Sequence, residues 1–373
     1  MTEDSMTGGR LLPDLFLCKD GEKVTNVEQW EKKRRPEILE LFRRHVYGRA
    51  PIQRPEKLMF ETEEVKENIM EGNATLKKIN IVFEGPYGEG KIGLILFVPT
   101  HVKKPVPCFL LICNRSKENM DKTREVKSDF WPAEYIISRG YAAAVFHVSD
   151  VDPDEHDGFK NGVHGIFDSR ETPRSSDAWG TISAWAWGAS RVMDYLETDS
   201  DIHAGKVAVI GHSRGGKTAL WCGAQDERFS MVVSNNSGCT GAALSRGKKG
   251  ETISDINRLF PHWFCENYKI YAHRENDLPV DQHMLLALIA PRLLYVASAT
   301  QDDWADPQSE FLSCVHAEPI YHLYGLKGLE TTQMPEPESP VHKGKIGYHL
   351  RTGEHDLTWY DWKCYLDFAD KNL

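Results

Sequence analysis

The sequence of 373 residues lacks several patterns that would each identify a different class of protein. No stretch reaches the ~18 consecutive apolar residues of a membrane-spanning helix. The eight cysteines are scattered without a CxxC pair, and neither HxH nor HExxH occurs, which argues against a zinc site and a disulfide framework. No internal repeat is visible, so a propeller or solenoid is not expected. We therefore expect a globular protein that needs no metal or cofactor.

Positive charge is also scarce, because 45 Lys and Arg stand against 55 Asp and Glu and leave a formal net charge of −10 at pH 7. Such a chain repels phosphate backbones and anionic lipid, so we expect neither nucleic acid nor a membrane surface as a partner. A small neutral or mixed-charge ligand and a monomeric state are expected instead. Residues 1–5 show neither the basic nor the apolar part of an export signal. The location stays open, and would be secreted or periplasmic if a signal preceded them.

Short apolar runs alternate with helical patterns along most of the chain. Residues 107–113 and 141–148 are nearly continuous apolar runs, which are typical of central parallel strands covered on both faces. Residues 178–196 form a long helical pattern, and further strands are predicted at 206–210 and 292–299. This alternation predicts an α/β fold, a three-layer sandwich with a mostly parallel central sheet.

One elaborated domain is favoured over two at this length. Residues 1–55 are predicted as an N-terminal helical segment packed on the core, because apolar residues recur every three to four positions across 27–48. Residues 56–373 are predicted as a single α/β domain. Two long intervals within it, 238–282 and 325–354, interrupt the alternation, and we expect both to be insertions over the active-site edge of the sheet.

A serine flanked by glycines stands between a predicted strand and a predicted helix. The segment GHSRG (211–215) has glycine two positions before and two after Ser213, which is the spacing of the strained strand-to-helix turn called the nucleophile elbow. The elbow exposes the hydroxyl and directs the backbone N–H of Arg214 at the developing oxyanion, with a second donor expected from 113–115. The pattern predicts an α/β-hydrolase with Ser213 as nucleophile. The alternative is an idle serine in a glycine-rich turn.

In this fold the acid and then the histidine follow the serine along the chain. His355 lies in a loop just before an amphipathic C-terminal helix and is the predicted base, while His342 and His349 are competitors that we expect in surface loops. The acid orients and stabilises the imidazolium, and its usual place is the loop after the preceding strand. Asp303 in that loop is our choice. Asp302 beside it stays open as the acid, and such residues also cap helices.

Five segments extend this pattern across the C-terminal half of the chain. They are GHSRGGK (211–217), FPHWF (260–264), LPVDQHMLLALIAPR (278–292), DDWADP (302–307) and GEHDLTWYDW (353–362). With them the chain resembles the glucuronoyl esterases of carbohydrate esterase family 15, in their bacterial branch. The resemblance implies an α/β-hydrolase without metal or cofactor. It also implies cleavage of the ester between a lignin alcohol and the 4-O-methyl-glucuronic acid branch of glucuronoxylan.

The resemblance further implies roles for residues near the serine. Arg214 matches the arginine that stabilises the oxyanion, Lys217 the lysine that contacts sugar hydroxyls, and Trp304 the tryptophan that lines the sugar pocket. Four residues after Ser213 on a helix, Lys217 faces the same side as the nucleophile. Without the resemblance, Lys217 would be interpreted as a solvated helix residue and Trp304 as a core residue.

One position departs from the fungal members of the family. Those carry the acid after the strand that matches 231–236, in a QESG-like segment, whereas this chain has Asn236 there. Asn236 can orient an imidazole but cannot balance its charge. The acid therefore has to come from elsewhere, and Asp303 is the predicted source.

Two other functions stay open. The triad does not determine which ester is split, so an acetyl xylan esterase or another carbohydrate deacetylase is the nearest alternative. A catalytically dead hydrolase fold that only binds carbohydrate is an alternative from a different class. Labelling of Ser213 by a fluorophosphonate separates the active enzyme from the binding protein.

Overall fold

A computed structural model of the chain describes residues 10–373, which form one nine-stranded sheet in the order β1-β2-β3-β5-β4-β6-β7-β8-β9. Strands β4 to β9 pair parallel, while β1, β2 and β3 run antiparallel and join the rest through an antiparallel β3–β5 pair. The strands are β1 (Leu58–Ile69), β2 (Ala74–Gly85), β3 (Gly88–Pro99), β4 (Val106–Cys113), β5 (Ala142–His147), β6 (Ile202–His212), β7 (Met231–Asn235), β8 (Leu293–Ala299) and β9 (Ile346–Arg351).

Helices cover both faces of the sheet and form a hydrophobic cluster with each. The α-helices are Val27–Gln29, Arg35–Phe42, Ala133–Ser138, Gly162–Phe167, Thr181–Leu196, Arg214–Gln225, Ile253–Leu259, Gln282–Ala287, Pro307–Leu323 and Trp359–Asn372. The π-helical turns are Trp30–Arg34 and Arg43–Tyr47, and the 3-10 turns are Lys117–Met120, Val148–Asp150, Glu266–Tyr271 and Glu275–Asp277. Over residues 10–373 no helix is long and apolar enough to span a membrane. The three-layer α/β fold predicted from the alternation is confirmed.

The N-terminal helical pattern is confirmed as helical turns that follow one another from Val27 to Tyr47. The turns end at Gly48, which has a φ of 83° that favours glycine. Buried Arg35 attaches them to the core, because its guanidinium donates to the carbonyls of Ala224 at 3.1 Å and Leu288 at 3.3 Å. The division of the chain at residues 55 and 56 stays a prediction, and part of the first segment lies outside the described residues.

The carboxyl ends of the parallel strands define the edge on which the loops meet. His212 at the end of β6 pairs with Asn235 at the end of β7, and Asn235 pairs with Ala297 in β8. The interval 238–282 lies over this edge and supplies cavity-lining residues. The interval 325–354 was expected to be an insertion, but it contains β9. That strand was missed because polar side chains interrupt its apolar pattern.

Two histidines were expected in surface loops, but only His342 lies in a loop, where it is half-buried. His349 is buried in β9, and its Nε2 donates to Asp361 Oδ1 at 2.8 Å. His342 contacts the hydroxyl of Tyr295 at 2.7 Å. Asp361 also accepts from Arg351 Nε at 3.1 Å. Burial disfavours the charged His349, but the Asp361 carboxylate outweighs it and raises the pKa of His349 to about 9.

We predict that Asp361→Ala lowers the free energy of unfolding by about 3–5 kcal/mol, because it leaves His349 and Arg351 buried without their counter-ion. The raised pKa of His349 stabilises the fold below its ordinary value of 6.5, and this contribution is lost as pH rises through about 9. Urea denaturation at pH 6 and pH 9.5 measures both effects.

Asp367→Ala is the matched control, because Asp367 lies on the same helix and pairs with Lys363 and Arg139 at the surface. It should cost less than about 1 kcal/mol. Equal losses from the two variants would show that the buried pair does not stabilise the fold.

Candidate active site

Ser213 lies in the sharp turn between β6 and the helix Arg214–Gln225, as the motif predicts. Its φ of 56° and ψ of −122° are strained for a residue with a side chain, as in a nucleophile elbow. Close backbone contacts require a glycine at 211 and leave little room for a side chain at 215. A Cβ at Gly211 would lie 2.0 Å from the carbonyl oxygen of Gly215, and a Cβ at Gly215 would lie 3.1 Å from that of Ile112.

His355 and a carboxylate meet beside this turn. The Nδ1 of His355 donates to Asp302 Oδ2 at 2.6 Å. The side chain of Asp302 is 3% exposed and that of His355 is 40% exposed, so the acid is buried behind an accessible imidazole. Burial favours protonation of Asp302, but the bonds from His355 and Asn236 outweigh it and lower its pKa. The pair has the geometry of the acid and base of a serine-hydrolase triad.

The structure therefore brings Asp302, and not the predicted Asp303, to His355. The side chain of Asp303 is exposed, whereas Asp302 points inward from the turn after β8. That turn is fixed by the backbone N–H of Asp302, which donates to the carbonyl of Ala299 at 3.1 Å, and by the N–H of Ala305, which donates to Asp302 Oδ1 at 3.2 Å. Within this turn Asp302 is buried and bonded to His355, while Asp303 is exposed.

Asn236 contacts the acid instead of the imidazole. Its Nδ2 donates to Asp302 Oδ2 at 2.9 Å, so the same oxygen receives bonds from Asn236 and His355. Asn236 is buried at the end of β7 with a φ of 46°. The expectation that it could orient the imidazole is corrected to an indirect effect through Asp302.

A second histidine, His212, packs against His355. The ring of His212 lies 4.5 Å from the ring of His355, centre to centre. His212 Nδ1 donates to Asn235 Oδ1 at 2.6 Å, and its Nε2 accepts from Arg115 Nη2 at 3.3 Å. Burial, together with the charge of His355, lowers the pKa of His212 to about 3. His212 is therefore a neutral surface against which His355 packs.

Arg214 follows Ser213 directly, and its guanidinium lies next to the aromatic rings of Trp263 and Phe260. Its centre is 4.9 Å from the ring centre of Trp263 and 5.4 Å from that of Phe260. One Nη pairs with Asp154 from a distant loop. A guanidinium next to the nucleophile can stabilise a negative oxygen that forms there. The backbone donors predicted from Arg214 and from 113–115 stay predictions.

Lys217 and Trp304 lie in the same cavity, as the resemblance implies. Lys217 is buried, and its Nζ donates to the carbonyls of Ser237 at 2.5 Å and Cys239 at 2.6 Å. Glu251 lies 3.6 Å from that ammonium. Trp304 is 51% exposed at the cavity wall. Interpreting Lys217 as solvated and Trp304 as core would therefore have been wrong.

These side chains enclose one cavity of about 340 Å³. It is lined by Ser213, Arg214, Lys217, Asn236, Ser237, Gly238, Glu251, Phe260, Trp263, Asp302, Trp304, Ala305 and His355. The cavity brings together a serine hydroxyl, an imidazole paired with a carboxylate, two cationic side chains and aromatic rings. It suits a polar ester whose carbonyl oxygen becomes negative during the reaction.

Several known proteins are similar to this chain in sequence and in fold. The family model for the glucuronyl esterases of fungi matches residues 130–325. Carbohydrate esterase MZ0003 from an unknown prokaryotic organism is 41% identical over 390 residues, which cover 97% of this chain and 89% of that protein. The chain belongs to the glucuronoyl esterase family. A 4-O-methyl-glucuronoyl methylesterase from Phanerochaete carnosa is 28% identical over 331 residues, covering 84% of this chain and 72% of that protein.

Two solved structures extend the likeness to the whole fold of this glucuronoyl esterase family member. A glucuronoyl esterase from Solibacter usitatus has a TM-score of 0.90 and 42% identity, over 96% of this chain and 97% of that chain. A promiscuous esterase of carbohydrate esterase family 15 from a marine bacterial metagenome has a TM-score of 0.88 and 41% identity, over 98% of this chain and 97% of that chain. The family, the α/β-hydrolase fold and the carboxylic-ester hydrolase class are thereby confirmed. The roles of single residues stay predictions.

Sequence reasoning missed four contributors to the site of this family member. Glu251, Phe260 and Trp263 line the cavity, and Asp154 pairs with Arg214. Phe260 and Trp263 belong to the motif FPHWF, which supported the resemblance without receiving a role. Asp154 lies in an Asp- and Gly-rich loop whose composition indicates a loop but no function. The pairing of distant loops leaves no local signal in a single sequence.

We predict that Asp302→Asn lowers kcat by about 10³- to 10⁴-fold, because His355 loses the carboxylate that orients it and stabilises its charge. Hydrolysis of 4-nitrophenyl acetate measures kcat. Asp303→Asn is the adjacent control, and it should change kcat less than about twofold because the exposed carboxylate does not touch the histidine. Full turnover by the double variant Asp302→Ala/Asp303→Ala would contradict the triad.

Proposed function

We propose that this protein hydrolyses esters of 4-O-methyl-glucuronic acid, in particular those that link lignin alcohols to the glucuronoxylan of plant cell walls. The observation that carries the proposal is the placement of Arg214 and Lys217 with Ser213 in one cavity. Two cations beside the nucleophile suit an ester of a uronic acid. The carbonyl oxygen of such an ester becomes negative when the serine attacks, and its sugar ring carries hydroxyls. Relatives named 4-O-methyl-glucuronoyl methylesterases support this choice of substrate.

The reaction proceeds in two acyl-transfer steps. Ser213 Oγ attacks the ester carbonyl carbon while His355 Nε2 takes the hydroxyl proton, and Asp302 stabilises the imidazolium through Nδ1. The tetrahedral oxyanion is stabilised by Arg214. When it collapses, the alcohol leaves with the proton from His355 and the glucuronoyl group stays on Ser213. Water then attacks that ester with His355 as base, which releases the acid and the free serine.

The sugar ring is expected to contact Lys217 and Trp304 in the same cavity. Two of the three N–H groups of Lys217 go to the carbonyls of Ser237 and Cys239, which fixes the ammonium in place. The third is available to a sugar hydroxyl or to Glu251, which lies 3.6 Å away. The exposed indole of Trp304 offers an apolar face to the ring. These contacts favour recognition of the acid part of the ester.

An acetyl ester on xylan is the second candidate substrate. One of the similar structures is a promiscuous esterase of the same family, which favours considering more than one acyl group. An acetyl group is smaller than the cavity and makes no contact that requires Lys217. A dead binding protein is disfavoured by the bond between His355 and Asp302 beside an elbow serine.

We predict that the wild-type protein hydrolyses benzyl glucuronate, and that Ser213→Ala lowers kcat by about 10⁴-fold or more because the nucleophile is lost. Release of benzyl alcohol measures turnover, and acetylated xylan is assayed in parallel. A strong preference for acetyl groups would refute the proposed substrate. Failure of a fluorophosphonate to label Ser213, with sugar binding retained, would favour a binding protein.

We predict that Trp304→Ala raises KM for methyl glucuronate about tenfold, which corresponds to one aromatic contact with the sugar ring. Initial rates over a range of ester concentrations separate KM from kcat. Trp359→Ala is the matched control, since Trp359 is 42% exposed and packs against Tyr135 outside the cavity. A similar rise in KM for both variants would show that Trp304 does not contact the sugar.

A further inference from the structure

Asp154 receives hydrogen bonds from three side chains at the rim of the cavity. Its Oδ1 accepts from His262 Nε2 at 3.0 Å and from Trp263 Nε1 at 2.7 Å, while its Oδ2 accepts from Arg214 Nη1. Asp154 lies 60 residues before Arg214 in the sequence and 108 before His262. One carboxylate therefore joins two distant loops to the residue that follows the nucleophile.

Two aromatic rings next to Arg214 form the second part of this arrangement. The rings of Phe260 and Trp263 stack with their centres 3.7 Å apart and their planes 2° apart. The guanidinium of Arg214 lies 4.9 Å from the ring centre of Trp263 and 5.4 Å from that of Phe260. Because these distances are nearly equal, the guanidinium lies beside the edges of the stacked pair, and the rings limit its movement on that side.

The segment that carries these rings is anchored to the core. The backbone N–H groups of Thr181 and Ile182 donate to the carbonyls of His262 at 2.9 Å and Trp263 at 3.2 Å. A Cβ at residue 180 would lie 2.4 Å from the Trp263 carbonyl oxygen, so this approach requires Gly180. The segment that contacts Arg214 and Asp154 is thus fixed to the start of the long helix Thr181–Leu196.

Arg214 needs such support if it is to stabilise an oxyanion. An arginine side chain has many rotamers, and a flexible donor must be ordered during the reaction. A donor that is already oriented stabilises the developing charge without this cost. The side chain of Arg214 is 31% exposed, so solvent alone would leave it several orientations.

We propose that Asp154 is a positioning residue that, together with the stacked rings of Phe260 and Trp263, holds the Arg214 guanidinium in the orientation that stabilises the oxyanion. The proposal rests on the proposed ester hydrolysis at Ser213, and it assigns a role to a loop and to a motif that the triad does not use. Asp154 itself does not touch the substrate. It acts through Arg214.

The charge of Asp154 has two opposite consequences for Arg214. Burial favours the neutral acid, but the bonds from His262 and Trp263 and the charge of Arg214 outweigh it and lower the pKa of Asp154 to about 2. Asp154 is therefore an anion at neutral pH. It fixes the guanidinium, yet its negative charge also weakens the attraction between Arg214 and the oxyanion. If the orientation of Arg214 matters more, removal of Asp154 slows the reaction. If the weakened attraction matters more, removal of Asp154 accelerates it.

A double-mutant cycle between Asp154 and Arg214 tests the proposal on the full-length protein. Asp154→Ala should lower kcat about tenfold with KM changed less than twofold, because the contact it supports is made in the transition state. The same substitution in an Arg214→Ala background should change kcat less than about twofold, because nothing is left to position. Equal losses in both backgrounds, or a rise in kcat, would overturn the proposal.

Two further variants separate positioning from a general effect on the loop. Asp157→Ala removes a carboxylate of the same loop that accepts the N–H groups of Phe159 at 2.7 Å and Asn161 at 3.0 Å. It should leave kcat within about twofold, since it does not contact Arg214. Asp154→Asn retains the shape of the side chain, and it replaces Asp154→Ala in the cycle if the alanine variant unfolds in a thermal melt.

The cycle is run on both 4-nitrophenyl acetate and methyl glucuronate. If neither the wild type nor its variants hydrolyse the glucuronate, the proposed substrate is wrong, and the acetate still reports on Asp154 because both esters form an oxyanion at Ser213. If the glucuronate is hydrolysed and the losses from the two single substitutions simply multiply in the double variant, the substrate is right and the positioning role is wrong.

Discussion

The carboxylate of Asp302 is the point at which three loops of the sheet meet. Asp302 follows β8, Asn236 follows β7, and His355 follows β9, and both neighbours bond to the same oxygen of the acid. A charge that is 3% exposed is stable only when it is paired and hydrogen-bonded, so this single oxygen restricts the positions of all three loops. The loop of the elbow serine adjoins them because β6 pairs with β7.

The end of β7 supplies the second contact to the acid. The resemblance to the fungal members of the family implies a carboxylate at the position of Asn236, and a carboxylate there would repel an ionised Asp302. Asn236 carries no charge, and its Nδ2 donates to Asp302 Oδ2 at 2.9 Å. An amide at the end of β7 therefore suits a charged acid at the end of β8.

Local features of the sequence were sufficient to predict the nucleophile elbow at Ser213. Ser213 needs glycines at fixed distances because backbone atoms approach within the same turn, and the adjoining strand and helix have clear periodic patterns. His355 followed from chain order in the fold. Asp302 and Asp303 could not be separated, because adjacent turn residues differ only in direction, and tertiary contacts of Asp302 with Asn236 and Ala305 set that direction.

The strand β9 and its buried His349 could not be predicted from the sequence, for a different reason. His349 and Arg351 are polar, which indicates exposure when they are considered alone, but Asp361 on the following helix neutralises both. The pattern of polar residues in a strand cannot show whether partners arrive from a helix that begins several residues later. For the same reason the sequence did not reveal the contact of Asp154 with Arg214, since the partners of Asp154 come from two segments that are distant from it in the chain.

A second buried carboxylate, that of Glu310, lies near Asp302, and the pKa values of the two are shifted in opposite directions. Glu310 accepts from the Ser298 hydroxyl at 2.6 Å and from the backbone N–H of Gly238 at 2.9 Å. Complete burial, with the negative charge of Asp302 nearby, raises its pKa to about 7. The two environments therefore separate the pKa values, as they do where two carboxyl groups serve different roles. Asp302 keeps its charge next to His355, while Glu310 approaches the neutral form and holds the ends of the β7 and β8 loops together.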